Sequence, residues 1–180
     1  MGIYKFSGRF FQKKINTPNT EAEQLPSNQH INFYAINYNL TNISPYIDEA
    51  KTILKINIPK IVIVPYLADH GGKLNVMEDT YFDIKEPGTY YRFGYYDDEN
   101  GVIYITRFNP YHKEPYSDAQ ILVIILHELR HCWQSEYKRD EYYNGVNAVG
   151  MECIKDPSEI DADAFAVAYM EESKTPYERK

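Results

Sequence analysis

Residues 127–131 read His-Glu-Leu-Arg-His, the one place in the chain where two histidines and an acid fall at a spacing that could do chemistry together. On a helix, residues four apart are separated by about 400° of rotation, so His127 and His131 would share a face one turn apart. Two imidazoles placed this way can take two corners of a tetrahedral zinc site. Glu128 is rotated from His127 by about 100°. It can therefore stand beside the metal without binding it, holding a water and taking its proton. The chemistry of such a constellation is metal-assisted hydrolysis, with Zn2+ as the cofactor.

A catalytic zinc takes three protein donors and keeps a fourth position open. No histidine follows His131; Gln134 and Tyr137 occupy the stretch where a third one would be sought. The third donor must then be His30, His70 or His112, or a downstream carboxylate. Residues 156–166, Asp-Pro-Ser-Glu-Ile-Asp-Ala-Asp-Ala-Phe-Ala, make the carboxylate the better choice. Asp156 as N-cap and Pro157 at the first helical position announce a helix. On it Glu159 and Asp163 share a face, and Ala162, Ala164 and Ala166 allow another helix to come close. Glu159 is expected to complete the metal site, with Asp161 and Glu152 as substitutes. Asp163, one turn on, is expected to accept a hydrogen bond from a ligand imidazole and fix its tautomer. Read in isolation, Glu159 would be a capping-box residue, and Asp161 and Asp163 would be favourable charges near a helix N-terminus.

These two segments together resemble the gluzincin metallopeptidases, in which a His-Glu-x-x-His helix is joined by a glutamate from a following helix. Within that group the chain is most similar to the ImmA/IrrE-type and small single-domain members. The stretch Glu159-Ile160-Asp161-Ala162-Asp163-Ala164-Phe165-Ala166 carries the likeness. Arg130 departs from it, standing where such sequences usually carry glycine or another small residue. The resemblance implies a zincin-like fold, a zinc ion and a peptide or protein substrate. It also implies that Glu128 passes a proton from water to the leaving amine. Tyr137, Tyr142, Tyr143 and Tyr169 are candidates to stabilise the oxyanion. The strand over 102–107 is expected to be an edge that pairs with an extended substrate. Two rivals stand beside this reading. One is a zinc-containing regulatory or binding protein with little or no peptidase activity. The other is a latent protease covered by its own N-terminal arm.

The elements that must position these residues can be sketched from pattern. Ser117-Asp118-Ala119-Gln120 is a capping box opening the histidine helix. The apolar run 121–126 implies burial around most of its circumference. Earlier, residues 32–40 alternate like a strand, and Ser44-Pro45 reads as N-cap and first helical residue of a helix ending near Ile56. Lys60-Ile-Val-Ile-Val-Pro65 is a buried strand. Asp69-His70-Gly71-Gly72 is a turn. Residues 89–96 and 102–107 flank a hairpin loop at Asp97-Asp98-Glu99-Asn100-Gly101. The order is helix, strands, then two helices, an α+β class with a small, mostly antiparallel or mixed sheet. Residues 1–30 are expected to be a flexible arm with room for a first strand, and 31–180 a single zincin-like domain.

Composition narrows the partners. The chain has 180 residues, 43% hydrophobic and 25% charged, ordinary for one globular domain. A net charge of -7, with Lys13-Lys14 and Lys138-Arg139 as its longest basic stretches, argues against nucleic acid as a partner. Two cysteines, Cys132 and Cys153, cannot build a disulfide framework or a four-cysteine zinc site; Cys132 is expected to be a small buried residue. No apolar run approaches the ~20 residues of a membrane span. No signal-peptide core follows Met1, and Phe6 stands where a myristoylation signal needs Ser or Thr. A cytoplasmic protein without a membrane partner is expected.

Overall fold

A computed structural model describes residues 35–57, 59–70, 73–77, 89–146 and 156–173. The proposed arm, His30, Glu152 and Cys153 lie outside the described residues. In chain order the elements are α1 (Ser44–Leu54), β1 (Lys60–Val64), β2 (Tyr66–His70), β3 (Lys73–Met77), β4 (Thr89–Arg92), β5 (Gly94–Asp97), β6 (Val102–Thr106), α2 (Asp118–Tyr137), α3 (Arg139–Val146) and α4 (Pro157–Glu172). The class is α+β. Among the described residues no helix is long and apolar enough to cross a membrane.

The strands make two three-stranded sheets. One is mixed, in the order β1-β6-β5, with β1 parallel and β5 antiparallel to β6. The other is antiparallel, in the order β3-β2-β4. The sequence pattern implied one strand over 89–96. Instead the chain leaves one sheet at Phe93 and enters the other at Gly94. The buried Thr106 holds that junction: its hydroxyl accepts from the Leu67 N–H at 2.9 Å and donates to the Arg92 carbonyl at 2.9 Å, while its own N–H donates to Phe93 at 2.8 Å. The β6 strand also corrects an expectation. It lies between β1 and β5, so it has no free edge; among the described residues β1 and β5 are the outer strands of that sheet. Proximity in sequence revealed the hairpin but not the parallel partner from forty residues earlier.

Period-two alternation sends the two faces of β6 into separate cores. Ile103 and Ile105 join the large core with Ile47 and Leu54 of α1 and Ile121, Leu122, Ile125 and Leu126 of α2. Tyr104 joins Val62, Val64, Leu67 and Val76 in the smaller one. The apolar run before the histidines is buried as expected, apart from a partly exposed Val123, and Cys132 is buried too.

Three local expectations change. The described residues of the 32–40 strand form no regular element, although the Ile36 N–H donates to the Ile63 carbonyl at 2.7 Å. Ser44 does not cap α1: Ile43 holds that position, with no side-chain bond, because the start is set by Pro45 and the burial of Ile43. Short α3 follows α2 after a single residue, so among the described residues three helices follow the strands.

Replacing Thr106 with valine keeps the shape but leaves the Leu67 N–H and the Arg92 carbonyl without this partner. Urea denaturation should show a loss of about 1–3 kcal/mol. Unchanged stability would contradict the junction's role.

Candidate metal centre

The α2 helix starts where its sequence says. Ser117 and Gln120 exchange side-chain and backbone bonds as a capping box. This fixes the register that brings His127 and His131 to one face. Their Nε2 atoms are 2.9 Å apart.

The α4 helix supplies the carboxylate. Asp156 caps it by accepting from the Ser158 N–H and hydroxyl, each at 2.8 Å. Glu159, relieved of a capping role, turns to the histidines, with oxygens 3.4 Å from His127 Nε2 and 3.7 Å from His131 Nε2. Ala162 and Ala166 are buried, Ala166 within the large core, and α4 packs on α2. Ala164 does not contribute; it faces outward and is exposed.

His127, His131 and Glu159 form a group able to hold a metal ion, their donor atoms all within 4.8 Å of one another. Four ligands at ordinary zinc bond lengths in a tetrahedron stand about 3.3 Å apart. The three separations here, 2.9, 3.4 and 3.7 Å, bracket that value. The imidazole partners point the same way. Asp163 accepts from His127 Nδ1 at 2.9 Å, and the side-chain oxygen Oε1 of Gln134 accepts from His131 Nδ1 at 2.8 Å. Each ring then carries a proton at Nδ1 and turns Nε2 toward the other. Two lone pairs facing at that distance repel unless a cation lies between them. A proton or a metal ion satisfies the geometry.

The electrostatics follow from this convergence. Burial disfavours a charged His127, yet hydrogen bonds to Asp163 and Glu159 and the charge of Glu128 outweigh it and raise its pKa to about 10. Burial would also raise Glu159, but both histidines hold it well below the usual carboxylate range. Glu128 is different. It is 5% exposed, and burial pushes its pKa up, with Glu159 adding to the rise and His127, His131 and Arg92 opposing it. The Glu128 carboxylate is seated against Gly94 of β5. A Cβ on residue 94 would lie 2.5 Å from Glu128 Oε1 and 2.8 Å from a methyl carbon of Ile124. Gly94 serves here by leaving space for the acid.

The remaining expected residues are elsewhere. His112 is exposed on a loop, and among the described residues it is not part of the donor group; the side chain of His70 is not described. Asp161 is taken by Arg130, at 2.7 and 3.0 Å, and by Gln134 at 2.8 Å. Arg130 thus ties α2 to α4, with its guanidinium 3.8 Å above the Trp133 ring centroid. Tyr137 donates to the Lys55 carbonyl, Tyr143 to Asp98, and Tyr169 to Tyr46 and Glu49. Tyr142 is the candidate that lies on the centre, with ring centroid 5.7 Å from that of His131. Sequence reasoning missed the parts played by Gln134 and Gly94. The first had a signal, since a polar residue three positions after His131 continues the buried face of a helix. The second depends on a strand packing across the helix and had none.

Comparison with protein-family models, with curated proteins and with solved structures finds no match to this chain.

A metal must displace the His127 proton. Calorimetric titration with Zn2+ at pH 7, in buffers of differing ionisation enthalpy, should give one ion per chain with about one proton released. Affinity should weaken as pH falls, because protons compete for the same nitrogen, and Glu159→Ala should weaken it at every pH. Binding without proton release, or an unaltered Glu159→Ala, would contradict this arrangement.

Proposed function

We propose that this chain is a zinc-dependent metallopeptidase of gluzincin type, with a zincin-like domain. One observation carries the reading: three donors converge and a buried, non-donating carboxylate is seated beside them. A structural zinc site is closed by four protein ligands, whereas a hydrolytic site keeps a position open. Among the described residues the donor group has three members, His127, His131 and Glu159. A glutamate buried next to them without a ligand's place has its proton affinity raised by desolvation, the property a general base needs. The sequence of metal helix then glutamate helix supports the gluzincin assignment.

Zinc at these donors would supply Lewis acidity, polarising the scissile carbonyl and making water easier to deprotonate. The chain's own groups do the rest. Glu128, made more basic by burial, takes a proton from the attacking water as the oxygen–carbon bond forms. It returns that proton to the amine nitrogen as the carbon–nitrogen bond breaks. Asp163 holds the ring of His127 while this happens. Burial keeps the Tyr142 hydroxyl protonated, so it can donate to a developing oxyanion. The outer strand β5, which carries Gly94 beside Glu128 and pairs on one side only among the described residues, is where an extended peptide backbone would add.

Assayed on a peptide library with zinc present, Glu128→Gln should keep its metal and lose roughly 10²–10⁴-fold in turnover. Wild-type activity should fall as pH drops through the raised Glu128 pKa, because the base must be ionised. Equal turnover in variant and wild type would remove the base from the mechanism; metal uptake with no cleavage by either would favour a metal-holding binding protein.

Tyr142→Phe should lower kcat by about 10²-fold if its hydroxyl stabilises the oxyanion, with zinc content unchanged. An unchanged kcat would leave the tyrosine a packing role only.

A further inference from the structure

The Gln134 side chain is 3% exposed and makes three hydrogen bonds. Its Nε2 donates to the Ser158 carbonyl at 2.9 Å and to Asp161 at 2.8 Å. Its Oε1 faces His131 Nδ1 at 2.8 Å. An amide NH2 can only donate and an amide oxygen can only accept. With two acceptors on its nitrogen side, the amide cannot flip without setting oxygen against oxygen at both of them. The oxygen must face the imidazole, and the imidazole must present an N–H at Nδ1. Its lone pair is then at Nε2, the ring atom that faces His127 and Glu159.

Both anchors of the amide belong to α4. Ser158 is a half turn into that helix and itself bonds the cap, and Asp161 is gripped at two points by Arg130 of α2. The other histidine is treated similarly, since Asp163 on α4 accepts directly from His127. Each ring on α2 is thus oriented by an acceptor that α4 provides or holds in place.

We propose that Gln134 is a positioning residue that makes His131 a metal ligand, and that docking of α4 sets the direction of its amide. The α4 helix then contributes more than Glu159: it prepares the histidines of α2 before any metal arrives. This rests on the metal-site reading. The orientation of the ring, however, is a property of the metal-free chain and can be observed separately.

The test uses the full chain as wild type, Gln134→Met and Gln134→Glu. Long-range 15N–1H spectra of the metal-free histidines report each tautomer, and cobalt(II) titration reports affinity and ligand-field spectrum. In wild type His131 should carry its proton at Nδ1. Gln134→Met should lose that preference and bind cobalt about 10–100-fold more weakly, as loss of a partner behind a ligand generally does. Gln134→Glu should keep the Nδ1 proton and most of the affinity, because a carboxylate accepts at either end and no longer needs α4 to turn it. Its melting temperature should fall with the two lost bonds to α4.

An Nε2–H tautomer at His131 in the wild type overturns the proposal. So does cobalt affinity in Gln134→Met equal to wild type, or in Gln134→Glu no better than in Gln134→Met. If Gln134→Met does not fold, the wild-type tautomer and the Gln134→Glu affinity decide alone. A wild type with the expected tautomer that binds no cobalt overturns the metal reading and leaves the orientation of the ring standing.

Discussion

Two imidazole nitrogens that face each other across 2.9 Å are the constraint on which this structure turns. Left alone they repel, and in a site shielded from water little would screen them. The chain brings them together nonetheless, through one helical turn, and holds each ring from behind with an acceptor. Glu159 adds a negative charge to the same point. The sum is a place that demands positive charge. In the metal-free chain a proton on His127 answers that demand, which is why its pKa stands so far above that of a free imidazole.

The scaffold is arranged around this convergence. A continuous apolar face from Ile121 to Leu129 locks α2 into the core, so its rotation is not adjustable. Small residues on α4 bring Glu159 within reach, and the Arg130–Asp161 pair links the two helices. Across the other side of α2, Gly94 makes room for Glu128. Thus one helix offers donors on one side and a base on the next, and different neighbours hold each. Arg130 serves the site through its length, which lets it reach Asp161 on α4.

Much of this site could be read in the sequence because it is local. The His127–His131 spacing, the Ser117 capping box and the Asp156-Pro157 start are helix geometry, and helix geometry is fixed over a few residues. Glu159 and Asp163 could be proposed because they repeat that geometry on a second helix. What could not be read depended on packing between distant segments. The β5–β6 hairpin was visible, but β1 joins the far side of β6 from a remote part of the chain and takes away its edge. The tyrosine-rich run 89–96 looks like one strand because nothing in its pattern marks Phe93 as the point where two sheets part. Gly94 has the same character, since only the approach of α2 shows what its missing side chain is for. Gln134 lies between these cases: its position was plain, but its hydrogen-bond direction required the carbonyl of Ser158.

The most direct test of the account is anomalous diffraction at the zinc edge from crystals of the zinc-treated full chain. A single strong peak is predicted between His127 Nε2, His131 Nε2 and the Glu159 carboxylate, at about 2.0–2.2 Å from each. Glu128 should lie beside it, outside bonding distance, and no fourth protein donor should reach it. No peak at that point, or a metal closed off by Glu128 or another side chain as fourth ligand, would contradict the account.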